Sequence, residues 1–283
     1  MVESIVELRK ICAKSDDPDE KRLLIILWRK ISIYFTKLLL YTSITANQVS
    51  ILGTFIGIFA GILLAYGSWY SLVGALLLHL SFIFDLVDGE VARYRKSGSI
   101  TGIYLELLGH HIVIPFVLVC TSFMVYNVFH DPKVFIFGFS AVLSQELLMI
   151  VREGRYIAVF LEHKTTKERS SKDHLGVHYR EKMQHEGLFE EEKNYLASKS
   201  HTILKISQVI TELHGIILTS ATILFASLID MATPWILIWP LKLNVMYLFL
   251  IFRGTFSHFL WLGMMFLTVK TKSLKKIYLL LLE

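Results

Sequence analysis

The sequence predicts an all-α integral membrane protein with six transmembrane helices and an N-terminal amphipathic surface helix. Three observations predict this class. Of the 283 residues, 54% are hydrophobic and the mean hydropathy is +0.53, which is too apolar for a soluble domain. Several nearly uncharged runs are long enough to cross a bilayer. Lysine and arginine are concentrated in alternate segments between those runs.

The N-terminal arm, residues 1–43, is predicted to lie outside the bilayer core. Residues 1–18 are polar and we expect them to be loosely ordered. From Asp19 to Leu40, apolar residues recur at helical spacing with basic residues between them. This pattern predicts an amphipathic helix along the membrane surface, with its basic residues toward anionic headgroups. The alternative is a helix packed against the protein's own surface, and the two are compatible.

Residues 44–283 form the predicted transmembrane domain. The six spans are expected near 49–66, 69–92, 101–128, 133–153, 206–230 and 244–269. In the first span, Gly53, Gly57 and Gly61 place a small residue every four positions. That spacing favours close packing of this helix against its neighbours.

A charged cytoplasmic insertion is predicted at about 154–205. Its segment HKTTKERSSKDH, residues 163–174, is expected to be a solvated loop, and residues 180–199 a pair of surface helices. The insertion could cover a site, bind a partner or simply elaborate the cytoplasmic face.

The distribution of Lys and Arg predicts the orientation in the membrane. Both ends of the chain, the loop after Arg93 and the segment 152–205 are rich in these residues, whereas the alternate loops are nearly devoid of them. By the positive-inside rule, both termini and the ends of spans two and three that meet at Arg93 should face the cytoplasm.

Four polar residues at those two span ends predict a shared site. Asp85 and Asp88 stand three positions apart at the end of span two, and Glu106 and His110 stand four apart at the start of span three. Both spacings place side chains on one helix face. Carboxylate oxygens are ligands that Mg²⁺ and Mn²⁺ accept. The pattern predicts a site for a divalent metal and phosphate.

The residues between those pairs suit a phosphorylated ligand. Gly89 and Ala92 carry little side chain, which leaves room for a ribose and diphosphate against the helix. Arg93 can offer a charge-assisted fork to phosphate.

This stretch resembles the signature of the CDP-alcohol phosphotransferase family, DxxDGxxAR followed by eight residues and GxxxDxxxD. The residues that match in order are Asp85, Asp88, Gly89, Ala92, Arg93 and Gly102. The segment ITANQVS at 44–50 is similar to the TPNxVT that precedes the first span in the same family. Two positions depart from the signature: Glu106 replaces its third aspartate and His110 its fourth.

The resemblance implies a set of roles. Asp85, Asp88 and Glu106 would hold metal, while Gly89, Ala92, Arg93 and Gly102 would line the site of a CDP-linked donor. His110 stands where the family has its basic carboxylate, and a neutral imidazole is a competent base near pH 7. Either His110 or Glu106 would take the proton of the acceptor hydroxyl. With three carboxylates instead of four, we expect one Mg²⁺ or Mn²⁺ site and an uncertain second. His110 could instead be a metal ligand, favouring Mn²⁺ or Zn²⁺, or a structural histidine.

Further site residues are weaker candidates. Arg152 and Arg155, at the cytoplasmic end of span four, could bind a phosphate on the acceptor or a lipid headgroup. Asn47 and Ser50, at the mouth of span one, could approach the nucleotide. Relatives assemble as homodimers, so the resemblance implies a homodimer here.

The first hypothesis is an enzyme that transfers a phosphoalcohol group from a CDP-linked donor to the hydroxyl of a lipid or small alcohol acceptor, with release of CMP. The second is a divergent enzyme that uses another nucleotide-activated donor or acceptor. The third is an inactive membrane scaffold that binds metal and nucleotide. The fourth hypothesis is a membrane transporter. The sequence shows no nucleic-acid-binding motif.

Overall fold

The computed structural model describes residues 2–13, 23–172, 216–232, 237–238, 241–242 and 244–270. Within these residues the chain is helical apart from one short strand pair. The elements in chain order are α1 (Ile5–Cys12), α2 (Leu23–Leu40), α3 (Ala46–Tyr66), α4 (Ser68–Tyr94), α5 (Ile100–Phe129), α6 (Lys133–Lys172), α7 (Ile216–Ala232), β1 (Leu237–Ile238), β2 (Leu241–Lys242) and α8 (Val245–Lys270).

In the described part of the chain, five helices are long and apolar enough to cross a membrane: α3, α4, α5, the Lys133–Arg155 part of α6, and α8. They confirm an all-helical integral membrane protein. The predicted span 206–230 is described only from Ile216, where α7 is 17 residues long, and its apolar part is shorter than the spanning helices. Five of the six predicted spans are therefore observed, and the sixth lies partly outside the described residues.

The expectation that residues 1–18 are loosely ordered is wrong for 5–12, which form α1. Ser4 begins this helix with a capping box: its hydroxyl accepts from Glu7 N, and the Glu7 carboxylate accepts from Ser4 N at 3.0 Å. Leu8 and Cys12 are buried in a cluster with Ile33. Burial raises the pKa of the Cys12 thiol to about 11, so this side chain is a neutral part of the cluster at physiological pH.

The helix α2 confirms the predicted amphipathic helix from Leu23, residues 14–22 lying outside the described chain. Its buried positions include the small polar residues Ser32 and Thr36. Large apolar side chains on the opposite face are exposed, at Leu27, Ile31, Tyr34 and Leu38. The helix therefore packs on the protein and also presents an apolar stripe. Its position on a bilayer surface stays a prediction.

The prediction of a solvated loop at 163–174 is wrong up to residue 172, because α6 continues to Lys172. No proline or glycine follows Gly154 in this segment, and lysine and glutamate favour helix. The predicted surface helices at 180–199 lie outside the described residues.

The chain divides into two compact units, one of residues 1–142 with 215–254 and one of residues 143–214 with 255–283. In the first unit, α3, α4 and α5 pack around a core that also takes residues from α6, α7 and α8. In the second, Leu148 and Met264 form a smaller buried cluster with Trp261.

The glycine stripe of α3 is a point of close packing in the first unit, as its spacing predicted. A Cβ on Gly57 would lie 2.6 Å from a methyl of Val113 on α5 and 2.9 Å from the hydroxyl of Ser81 on α4. A Cβ on Gly53 would lie 3.1 Å from Phe84 Cβ on α4. These distances show that α3 contacts both neighbours through its glycines.

We expect Gly57→Ala to destabilise the protein by about 1–3 kcal/mol, because the new methyl forces three packed helices apart. Thermal unfolding of the purified protein in detergent measures the change. Gly263→Ala is the matched control, since nothing lies within 4 Å of a Cβ there and alanine favours a helix by up to about 1 kcal/mol over glycine. Equal stability of the two variants would contradict the close packing of Gly57.

Candidate active site

A cleft opens where the C-terminal end of α4 meets the N-terminal halves of α3 and α5. It is a small pocket of about 20 Å³ that opens to solvent. Three helices, α3, α4 and α5, supply all of its polar side chains. The lining residues are Ser50, Gly53, Thr54, Ser81, Asp85, Asp88, Leu105, Glu106, Gly109, His110 and Val113. The structure therefore brings all four residues of the predicted metal and base set, Asp85, Asp88, Glu106 and His110, into one cleft.

Local sequence explains how α5 enters the site. Ser99 is extended and caps the helix, since its hydroxyl accepts a hydrogen bond from Gly102 N at 3.0 Å. The helix then begins at Ile100. Because Glu106 and His110 stand four residues apart on it, both side chains lie on the face that lines the cleft. A Cβ on Gly109 would lie 2.8 Å from the Thr54 hydroxyl, so a glycine here lets α5 approach α3.

The two carboxylates of α4 have different surroundings. Asp85 is 27% exposed, and its Oδ1 lies 3.3 Å from Nε2 of His110. Asp88 is 8% exposed, and its Oδ2 accepts a hydrogen bond of 2.5 Å from the Ser50 hydroxyl. Asp85 thus lies beside the imidazole, and Asp88 is held by α3.

A second groove adjoins the cleft and shares Ser50, Asp88 and Glu106 with it. Its cavity volume is about 120 Å³, and its other lining residues are Ala46, Asn47, Gly89, Ala92, Ser97, Gly98, Ser99, Gly102 and Ile103. Most of these side chains are small. The Oδ1 of Asn47 lies 3.3 Å from the point that a Cβ on Gly102 would occupy, so α3 and α5 are close at this end. The predicted donor residues Gly89, Ala92, Gly102 and Asn47 therefore line one groove beside the acidic cleft.

The donor chemistry of the cleft suits a hard divalent cation, because three carboxylates line it. In the described part of the chain, however, no three His, Cys, Asp or Glu side chains converge closely enough to hold a metal ion. The three carboxylates therefore fit a metal by their chemistry and by lining one cleft, but their side chains do not converge on a common point. Ligation by Asp85, Asp88 and Glu106 together requires their side chains to turn toward one another, and Glu106 is exposed enough to do so.

Arg93 does not line either the cleft or the groove. Its Nε donates to the Cys12 carbonyl at 2.7 Å, at the end of α1. The guanidinium also lies near Gly89, since a Cβ there would be 3.1 Å from Nη1. The side chain thus ties the N-terminal helix to α4, beside the groove.

Arg152 and Arg155 lie on α6 and belong to the second compact unit. Both are partly buried, and Arg152 Nη2 lies 3.4 Å from Glu153 Oε1. Their predicted role toward an acceptor stays a prediction.

Sequence reasoning missed several polar residues at this site. Thr54 and Ser81 line the cleft, and Glu90 and Arg95 hold the surrounding helices. The spacing of Ser50 and Thr54, four apart in an otherwise apolar span, was a usable signal. The sequence around Glu90 gave no signal that its side chain is buried, because a charged residue near the end of a span is usually exposed.

Comparison with known proteins agrees with the motif. Residues 43–177 match the family model described as CDP-alcohol phosphatidyltransferase. This range contains α3, α4 and α5 and so covers both the cleft and the groove. No curated protein matches the chain. The signature residues are arranged around one cleft between membrane helices, and the segment that carries them, residues 43–177, is that of the CDP-alcohol phosphatidyltransferase family, whose members transfer phosphate-containing groups.

Proposed function

We propose that this protein transfers a phosphoalcohol group from a CDP-linked donor to the hydroxyl of a lipid or small alcohol acceptor, releasing CMP, in lipid synthesis. One observation carries the proposal: an acidic cleft with an imidazole opens directly into a groove of small side chains. The groove offers backbone and space to a nucleotide diphosphate. Beside this groove, the cleft offers carboxylate ligands for a metal and the His110 imidazole as a proton acceptor.

Each part of the donor has a proposed site. Gly89, Ala92 and Gly102 leave room for the ribose and diphosphate, and the Asn47 amide beside Gly102 can hydrogen-bond to the nucleotide. A divalent cation, Mg²⁺ or Mn²⁺, would be held by Asp85, Asp88 and Glu106. When bound, it would neutralise the negative charge of the diphosphate. Arg93, beside the groove near Gly89, adds positive charge close to the proposed diphosphate site.

In the proposed reaction, the acceptor oxygen attacks the phosphorus that carries the donor alcohol. A new P–O bond forms as the bond between that phosphorus and the oxygen of CMP breaks, and CMP leaves. His110 takes the proton of the acceptor hydroxyl. Asp85, 3.3 Å from Nε2, stabilises the imidazolium that results, as a carboxylate does for a basic histidine in other enzymes.

The remaining assignments belong to the same proposal. Both termini and the site face the cytoplasm, where nucleotides are present. Arg152 and Arg155 bind a phosphate or headgroup of the acceptor, and the protein acts as a homodimer. The acceptor reaches the cleft from the membrane.

Nucleotide binding to the purified protein in detergent tests the donor assignment. We expect CDP and CMP to bind more tightly than ADP and GDP in Mg²⁺ or Mn²⁺, and EDTA to abolish the preference. A preference for another nucleotide would support a divergent donor instead. Binding without turnover on any membrane extract, measured as CMP release, would favour a catalytically inactive scaffold, and absence of binding would contradict the proposal.

A further inference from the structure

The connection between α2 and α3 is held by a residue outside the family signature. Residues 41–45 form this linker. Arg95, just beyond the end of α4, donates from Nη1 to Ile44 O at 2.5 Å and from Nη2 to Thr42 O at 2.8 Å. Nη2 also lies 3.5 Å from Leu39 O in the last turn of α2. One guanidinium therefore binds two carbonyls of the linker, those of Thr42 and Ile44, and reaches the last turn of α2.

The helix before this linker has its own anchor on α4. The Glu90 side chain is 2% exposed and accepts hydrogen bonds from Ser32 at 2.6 Å and Thr36 at 2.5 Å. Arg29 Nη1 is 3.8 Å from its Oε1. At 3.6 residues per turn, Glu90 projects about 200° around α4 from Asp88. The last turns of α4 thus have one face on the cleft and another on α2.

The linker leads directly to the groove. Thr45 caps α3 in a capping box with Gln48, with Thr45 N donating to Gln48 Oε1 at 2.8 Å. The first turns of α3 then carry Asn47, which lies beside Gly102, and Ser50, which donates to Asp88. The capping box at Thr45 thus joins the linker to the helical turns that carry these two side chains.

We propose that Arg95 is a positioning residue: with Glu90 anchoring α2, it fixes the linker 41–45 and so holds Asn47 and Ser50 at the groove, opposite α4. Arg95 lines neither the groove nor the cleft and acts through the linker alone. The inference rests on the proposed function only in that the groove is taken as the CDP site.

The test compares Arg95→Gln with Lys96→Gln. Both variants remove one positive charge, but Lys96 is exposed and serves as the control for charge alone. We expect Arg95→Gln to weaken metal-dependent CDP binding about tenfold, as loss of a supporting residue commonly does, and Lys96→Gln to change it less than about twofold. Arg95→Lys, which keeps the charge and can reach one carbonyl, should fall between them.

A double-mutant cycle separates positioning from a general loss of stability. If Arg95 acts through Asn47, then Asn47→Ala should weaken CDP binding in the wild-type background and add little in Arg95→Gln. Independent, additive effects would overturn the proposal. Should Arg95→Gln not fold, the same cycle with Arg95→Lys decides.

A second readout does not depend on the nucleotide. Amide hydrogen exchange of residues 42–50 in the full chain should be faster in Arg95→Gln than in Lys96→Gln, because the linker loses its hydrogen bonds to the guanidinium. Unchanged exchange would overturn the positioning role. If the wild-type protein binds no CDP but this difference is observed, the proposed function fails and the positioning role stands.

Discussion

His110→Ala is expected to lower turnover by about 10²- to 10⁴-fold, the usual contribution of a general base, while CDP binding stays within about twofold of wild type. The side chain lies in the acidic cleft with Nε2 3.3 Å from Asp85 Oδ1, and it does not line the adjoining groove. Removing it should therefore take away the proton acceptor and leave the nucleotide site intact. Release of CMP from a CDP-linked donor, measured beside equilibrium CDP binding, separates the two effects.

His111→Ala is the matched control, because His111 follows on the same helix and does not line the cleft. It should retain turnover. His110→Asp restores the carboxylate of the family signature and should recover part of the activity lost in His110→Ala. Full turnover in His110→Ala would show that the base lies elsewhere, and loss of CDP binding would assign His110 to the metal.

The three carboxylates and the imidazole of the cleft could be predicted because each pair is local in sequence. Spacings of three and four on one helix fix a common face, and membrane helices of known order bring the ends of α4 and α5 together. The spacing of the glycines on α3 likewise predicted which face of this helix packs closely against its neighbours. Sequence did not fix the side-chain torsions, and among the described residues no three ligands converge on a metal.

The N-terminal arm could not be predicted, because its contacts join residues far apart in sequence. Leu8 and Cys12 pack on Ile33, and the Cys12 carbonyl accepts from Arg93, so a polar stretch becomes an ordered helix only in its tertiary setting. Glu90 shows the same limit. Its burial depends on two hydroxyls of α2, which no local pattern connects to the motif.

Asp88→Asn is expected to weaken metal-dependent CDP binding by about 10- to 100-fold, the equivalent of one charged interaction of about 1.5–3 kcal/mol. Asp88 lies at the junction of cleft and groove, where a metal ligand would also face the diphosphate. Asparagine has the same shape and can still accept from Ser50, so packing is preserved and only the negative charge is lost. CDP titrations at several Mg²⁺ and Mn²⁺ concentrations measure the effect.

The pattern of those titrations identifies the cause. If Asp88 holds metal, the variant should need more Mg²⁺ or Mn²⁺ to bind CDP, and its weak binding in EDTA should equal that of wild type. Asp131→Asn is the control: it also replaces a carboxylate with an amide, but Asp131 lies beyond the opposite end of α5 and accepts from Tyr247 at 2.9 Å. We expect that variant to bind CDP as wild type does. An equal loss of CDP affinity at every metal concentration, EDTA included, would mean that Asp88 contacts the nucleotide or shapes the groove and is no metal ligand.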